Sequence, residues 1–235
     1  MTQSPHAVIL AAGVGRRLNG TTGPLPKALL PFGGRTLLAR HIAALRACGV
    51  QDVTVVTGFE AAQVQAAVGE DEHVRLVLNS DYREGSVVSL WAARGALRAG
   101  RPVVLMDADV LYDARLLGRL VSSAHPNALL LDREIEPGDE PVKIVDFHKR
   151  PQAPHDWHGE SVGFFRFTPE AAADLAVRTE DYVTSGRRAM EYEEPIRDMM
   201  QSAPPGLFGY EDITGLPARA IVRERLEARI LERFG

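Results

Sequence analysis

Four residues near the start of the chain have the types and spacing to grip a polyanion. Gly13, Gly15, Arg17 and Lys27 stand in the stretch AVILAAGVGRRLNGTTGPLPKALLPFGG, residues 7–34, directly after a short apolar run. Glycines let the backbone turn sharply and bring its N–H groups against a ligand. Arginine adds a forked cationic donor and lysine a point charge, a combination that suits a polyphosphate. Two aspartates, Asp107 and Asp109, sit in a second apolar stretch, VVLMDADVLY. Side chains alternate along a strand, so residues two apart point the same way. Two adjacent carboxylates at a sheet edge are costly without a cation, and Mg2+ suits carboxylates together with phosphate oxygens. A plain turn between strand and helix for the glycines, and a helix cap for Asp109, are the bland alternatives.

These residues need a scaffold that gathers strand ends. The run 7–12 reads as a buried strand, 36–49 as a helix closed by Gly49, 53–58 as a strand and 60–69 as a helix. A third strand is expected over 74–79, a helix over 86–100 and a fourth strand over 102–112. Alternating strands and helices with continuously apolar strands predict an α/β fold: a Rossmann-like, mostly parallel sheet with helices on both faces. Such sheets bind ligands at the carboxyl ends of their strands. Beyond residue 125 the rhythm changes. Strands are expected at NALLLDR, PVKIVDF and SVGFFRF, a Pro/His-rich loop over 149–160, and a helix at TPEAAADLAV with Thr168 as N-cap. The amphipathic LPARAIVRERLEARILERF reads as a final packed helix. We expect one domain over 1–235, with a nucleotide-binding half to about 125 and an acceptor-binding half from about 126.

Composition narrows the function classes. The 235 residues suffice for a sizeable core, and 45% hydrophobic with 25% charged residues is a soluble globular balance. A formal net charge of −4 gives no basic face for nucleic acid. The single cysteine, Cys48, excludes an internal disulfide and suits a reducing compartment. No run is long enough for a membrane span or shaped like a signal peptide, so a cytoplasmic protein is expected. His148, His155 and His158 lack a cysteine partner and read as a polar loop, or a lid over substrate, rather than a zinc site.

Two familiar phosphate motifs fail on the letters. A dinucleotide fingerprint needs glycine where Leu18 stands, and a P-loop needs glycine before its lysine, where Pro26 stands. The stretch LAAGVGRRL followed by PKALLPFGGRTLL instead resembles the signature of the sugar-phosphate nucleotidyltransferases. That resemblance implies nucleoside triphosphate as ligand and Mg2+ as cofactor. Leu10, Ala11, Ala12, Gly13 and Gly15 would line the nucleotide. Arg17 would contact the triphosphate and the leaving pyrophosphate, and Lys27 the reacting phosphates. Asp109 would bind the metal, with Asp107 beside it as the first aspartate of a D-A-D triplet.

The segment LVLNSDYREGSVVSLWAA, 76–93, resembles the phosphocholine and aminoethylphosphonate cytidylyltransferase branch. By that resemblance Asn79 and the Gly85–Ser86 turn read the pyrimidine edge, supported by Ser89, and CTP is the favoured nucleotide. GESVGFFRFTPE resembles the acceptor-side segment, which gives Glu160 a contact with a small phosphate or phosphonate acceptor. Lys143 and Lys149 would hold the acceptor's anion. Trp91, Tyr192, Glu193 and Glu194 would bind an aminoalkyl or quaternary ammonium tail through cation–π contact and charge. The pattern departs from the family near its end, where a triplet containing the second metal aspartate is expected. Either Asp212 in GYEDITGLP takes that role, or the triplet is missing and residues 218–222 stand in its place; the first is preferred. Alternatives are a sugar-1-phosphate or molybdopterin nucleotidyltransferase using another base, and a nucleotide-binding relative with impaired catalysis.

Overall fold

The computed structural model describes residues 3–14, 25–133 and 159–220. The chain opens with strand β1 (His6–Ala11). A 3-10 turn follows at Lys27–Leu29, then the short hairpin β2 (Pro31–Phe32) and β3 (Arg35–Thr36). Helix α1 spans Leu37–Ala47, with the Thr36 hydroxyl accepting from Ala39 N as its cap. Strand β4 (Val53–Thr57), helix α2 (Ala61–Val68) and strand β5 (Val74–Leu78) continue the alternation.

The helix expected over 86–100 is two pieces, α3 (Ser86–Ala92) and α4 (Arg94–Leu97). The strand expected over 102–112 is likewise divided into β6 (Val103–Asp107) and β7 (Val110–Tyr112), so Ala108 and Asp109 occupy a turn. Helix α5 (Ala114–Val121), capped by Asp113, precedes strand β8 (Asn127–Asp132). Strand β9 (Glu160–Phe167) leads into α6 (Pro169–Thr184), which outruns the stretch legible from its apolar spacing. Helix α7 (Glu193–Ser202), strand β10 (Phe208–Asp212) and strand β11 (Ala218–Ala220) complete the described chain. The strand expected at PVKIVDF, most of the 149–160 loop and most of the final helix lie outside the described residues.

Seven strands form one sheet in the order β10-β8-β9-β6-β1-β4-β5. All neighbours are parallel except β9, which runs antiparallel to both β6 and β8. Neighbouring residues on a strand face opposite layers. Ile9, Val55, Val104 and Phe164 pack with α1 and α5, whereas Val8, Val56, Leu105 and Phe165 pack with α3, α4, α6 and α7. Both faces are therefore covered, which is why the strands read as unbroken apolar runs. Strands β11 and β7 pair separately and antiparallel, with Ala220 opposite Val110. None of the described helices is long and apolar enough to cross a membrane.

Candidate active site

Because β6, β1, β4 and β5 are parallel, their carboxyl ends share one edge of the sheet. β9 is antiparallel, so its first residues reach the same edge. Leu10 and Asp107 are register partners at the ends of β1 and β6, and Ala11, Ala12 and Gly13 lead out of β1. Lys27 is carried there by the 3-10 turn, whose Ala28 and Leu29 are buried. Its Nζ lies 2.6 Å from Asp109 Oδ2, with both side chains partly buried. The structure thus joins Lys27, Asp107 and Asp109. Gly15, Arg17, Lys143 and Lys149 lie outside the described residues.

Asp107 is the most perturbed carboxylate of the group. Burial, and then the Glu193 and Asp109 carboxylates, push its pKa well above the usual range; the Tyr192 hydroxyl and the Lys27 charge oppose them. Tyr192 donates its phenolic hydrogen to Asp107 Oδ2 at 3.0 Å. Glu193 is pushed up to about 7, chiefly by burial. Crowded carboxyls of this kind are ones that a cation or a cationic ligand would relieve. Gly163 faces the same spot from β9. Its φ is +74°, and a Cβ there would stand 2.1 Å from Asp107 Oδ2.

The base-reading residues lie at the far side of the edge. Asn79 follows β5, three strands from β6, or ~14 Å at ordinary strand spacing. Its Nδ2 donates to Ser89 Oγ at 3.0 Å, and its Oδ1 accepts from Asp81 N at 3.0 Å. Among the described residues that leaves one amide hydrogen without a partner. Gly85 and Ser86 are placed differently from the expectation. Gly85 N donates to Arg188 O at 2.9 Å, and Ser86 Oγ accepts from Tyr192 N at 2.8 Å while donating to Glu191 at 2.5 Å. Their polar groups dock the segment 188–192 against the start of α3 instead of facing open space. Arg188 strengthens that joint through Asp81 and Glu84.

The acceptor-side residues divide. Glu160 opens β9 opposite Asp132 of β8, on the same edge as Asp107. The aromatic pair expected to hold an ammonium has other partners: the Arg94 guanidinium lies 4.0 Å from the Trp91 ring centre, and Tyr192 is buried edge-on against Phe165. Glu194 is paired with Arg197 at 2.7 Å. Only Glu193 of that set keeps an electrostatic demand.

Asp212 is not brought to the site. It ends β10, separated from β6 by β8 and β9, again ~14 Å away. Its carboxylate accepts from Thr214 N at 2.9 Å, and the Thr214 side chain first, then that backbone bond, hold its pKa below the usual carboxylate range. The strand beside the Asp109 turn is β11, Ala218–Ala220, whose residues are not carboxylates. Residues 218–220 of the other alignment lie beside that turn, and 221 and 222 lie outside the described residues. Among the described residues no group of three or more His, Cys, Asp and Glu is arranged to hold a metal ion.

Sequence reading overlooked His41, on α1. It is fully buried, and its Nε2 lies 3.1 Å from Ala108 O, between the two aspartates. Burial pushes its pKa down to about 4, so the ring is neutral. A signal was available: Leu37, Leu38, His41 and Leu45 form one buried stripe of α1, and histidine is the only polar member.

A mainly parallel sheet with a lysine and paired carboxylates at its carboxyl edge, and an amide at the end of β5, defines a nucleotidyltransferase-type α/β domain. Residues 7–154 match the MobA-like NTP transferase domain, and the chain belongs to that family. A CMP-5'-(3-aminopropyl)phosphonate synthase of Streptomyces rubellomurinus is 32% identical over 136 residues, 56% of this chain and 21% of the relative. The chain spans between about a fifth and three-fifths of the length of the first curated relatives it matches. Among solved structures, the inositol-1-phosphate CTP transferase from T. maritima superposes with a TM-score of 0.75 at 17% identity, covering 100% of this chain and 96% of that one. The CTP:phosphocholine cytidylyltransferase from Streptococcus pneumoniae gives 0.70 at 21% identity, covering 93% and 94%. Both likenesses establish the fold.

Proposed function

We propose that this chain is a cytidylyltransferase that moves CMP from CTP to a small acceptor bearing a phosphate or phosphonate, releasing pyrophosphate. The observation that carries the reading is the Lys27–Asp109 pair, 2.6 Å apart beside half-buried Asp107, at the edge where β1 and β6 end. Its support for CTP comes from relatives named for CMP or CTP transfer, and from the Asn79 amide, whose remaining hydrogen suits a pyrimidine carbonyl. The first part of the chain, to about 125, holds the nucleotide in this reading, and the remainder holds the acceptor.

The reaction brings two anions together, so positive charge and positioning carry it. An acceptor oxyanion attacks the α-phosphorus of CTP. The new P–O bond forms as the bond to the bridging oxygen of the β-phosphate breaks, and pyrophosphate leaves with that electron pair. No proton has to be removed, because the attacking oxygen is already ionised at neutral pH. Lys27 turns its ammonium from Asp109 to the phosphates and neutralises charge as pyrophosphate departs. The exposed Gly13 backbone lets the polyphosphate approach the end of β1.

Mg2+ fits the donor set. Asp107 and Asp109 offer hard oxygen ligands, and burial with the Glu193 and Asp109 carboxylates raises the Asp107 pKa in a way a bound cation would oppose. When bound, the ion polarises phosphate oxygens. A second reading, a nucleotide-binding relative without turnover, is favoured by the remoteness of Asp212.

Pyrophosphate release from CTP, UTP, GTP and ATP, each with Mg2+ and a panel of phosphocholine, 2-aminoethylphosphonate, inositol phosphate and glucose 1-phosphate, separates these readings. Release with CTP and one acceptor is expected. Release with another nucleotide reassigns the base, and a nucleotide-induced melting shift without release supports the impaired relative. A melting temperature unmoved by any nucleotide overturns the site.

A further inference from the structure

A fully buried imidazole in an apolar helical stripe costs stability unless its polar atoms are satisfied. An aliphatic residue at position 41 would match Leu37, Leu38 and Leu45 and avoid that cost. What the imidazole adds is one hydrogen bond. Nε2 lies 3.1 Å from Ala108 O, and since a carbonyl only accepts, the ring hydrogen there is on Nε2. The ring's other nitrogen, Nδ1, has no hydrogen-bond partner among the described residues. Its orientation therefore comes from that bond and from packing. The ring stacks on Tyr112 with centroids 5.2 Å apart and meets Phe164 edge-on at 6.1 Å. Phe164 lies opposite Met106, next to Asp107, and Tyr112 lies three residues beyond Asp109.

Ala108 is thus pinned on both sides. Its N–H donates to Leu10 O at 3.2 Å, and its carbonyl accepts from His41. The first bond fixes the peptide joining Asp107 to Ala108, and the second fixes the peptide joining Ala108 to Asp109. Two fixed peptide planes determine φ and ψ of the residue between them, and hence how the flanking carboxylates are aimed. We propose that His41 is a positioning residue for the reaction: by holding the Ala108 carbonyl it sets the separation and aim of the Asp107 and Asp109 carboxylates. The inference rests on the nucleotidyltransferase reading of those two aspartates.

The test compares His41→Gln, whose amide N–H reaches the carbonyl, with His41→Asn, whose shorter side chain does not, and with His41→Leu. Gln and Asn bury the same polar group, so their difference reports reach rather than burial. Misaimed groups at a reacting centre cost on the order of 10- to 100-fold. We expect kcat to fall by that factor in the Asn and Leu variants with KM for CTP little changed, and the Gln variant to stay within about 5-fold of wild type. Mn2+ titration of the nucleotide-free protein, followed by the signal of the free ion, is the second readout, with affinity about 10-fold weaker in Asn and Leu than in wild type and Gln. Equal kcat in all four proteins, or a Gln variant as slow as Asn at the same melting temperature, overturns the proposal. If wild type turns over no nucleotide, the functional reading fails separately. The Mn2+ series then decides, and either equal affinities across the four proteins or no binding by wild type counts against His41.

Discussion

Replacing Gly163 with alanine tests the crowding around Asp107 directly, because a second glycine supplies the control. Gly163 has φ +74° and Gly186, just beyond α6, has φ +84°, so alanine at either position enters the left-handed region. That shared conformational cost is ~1–2 kcal/mol, and both substitutions reduce unfolded-chain entropy alike. The surroundings differ. A Cβ at Gly186 meets nothing within 4 Å, whereas at Gly163 it stands 2.1 Å from Asp107 Oδ2, 2.8 Å from its Cγ and 3.1 Å from the Tyr192 hydroxyl. The carboxylate has to retreat by ~1 Å or more to reach ordinary contact. Doing so strains the 3.0 Å Tyr192–Asp107 hydrogen bond. Overpacking costs ~1–3 kcal/mol and a hydrogen bond to a carboxyl ~1–3 kcal/mol. Gly163→Ala is therefore expected to lie ~2–6 kcal/mol below Gly186→Ala in urea unfolding. At ~2–4 °C per kcal/mol for a chain of this size, the melting gap is roughly 4 to 24 °C. Equal stability of the two variants, within about 1 kcal/mol, would refute the packing of β9 against Asp107.

Lys27→Met removes the ammonium from Asp109 while keeping the side chain's length, and should lower turnover by ~100-fold or more with melting close to wild type; activity near wild type would remove Lys27 from the site. Gly85→Ala places a Cβ 2.2 Å from Met190 O, so the 188–192 segment has to shift. We expect ~1–3 kcal/mol of destabilisation and a larger rise in KM for CTP than fall in kcat, and an unchanged KM would show the joint to be unconnected with nucleotide binding. For His41, lowered from 6.5 to about 4, the unfolded state holds more protons across that window, so its contribution, ~3 kcal/mol, is lost as pH falls from 6.5 towards 4. Glu193, raised from 4.5 to about 7, acts oppositely: the folded state holds more protons, and that stabilisation is lost as pH rises through 7. Glu193→Gln should therefore make stability fall more steeply than in wild type on acidification between pH 6.5 and 4.5, and parallel curves would contradict the burial of Glu193.

Where local pattern was decisive, the sequence sufficed. Strands β1, β4 and β5 and helices α1 and α2 follow from apolar runs and their glycine ends, and the Asp107–Asp109 spacing pointed to two carboxylates at the carboxyl edge of the sheet. The misreadings share one cause, contacts distant in sequence. VVLMDADVLY is apolar apart from its two aspartates and reads as one strand; the Ala108 peptide groups at its division are held by Leu10 and His41. Nothing in EGSVVSLW declares that Gly85 and Ser86 will be met by residues 188–192. Strand β10 carries Gly209 and charged Glu211 and Asp212, so it shows no buried-strand run, and its place at the far edge appears only from its pairing with β8. Reading Asp212 as a metal ligand followed chain order, but sheet order put it three strands away.

The same contrast explains how a short motif can act with so little local support. Asp107 is reached by Tyr192 from the chain just before α7, by Gly163 from β9 and by the charge of Glu193. Segment 188–192 touches the start of α3 through Gly85 and Ser86, and its last residue, Tyr192, touches Asp107. One short segment of the later half therefore contacts both ends of the proposed nucleotide site. Phosphate-gripping residues can be supplied by a strand end and a turn, because charge acts over several ångströms. The aim of a buried carboxylate cannot, because it depends on contacts of about an ångström's tolerance. In this chain those contacts come from β9 and the segment before α7, which is why the motif at residues 7–34 identifies the chemistry and the remote segments determine its geometry.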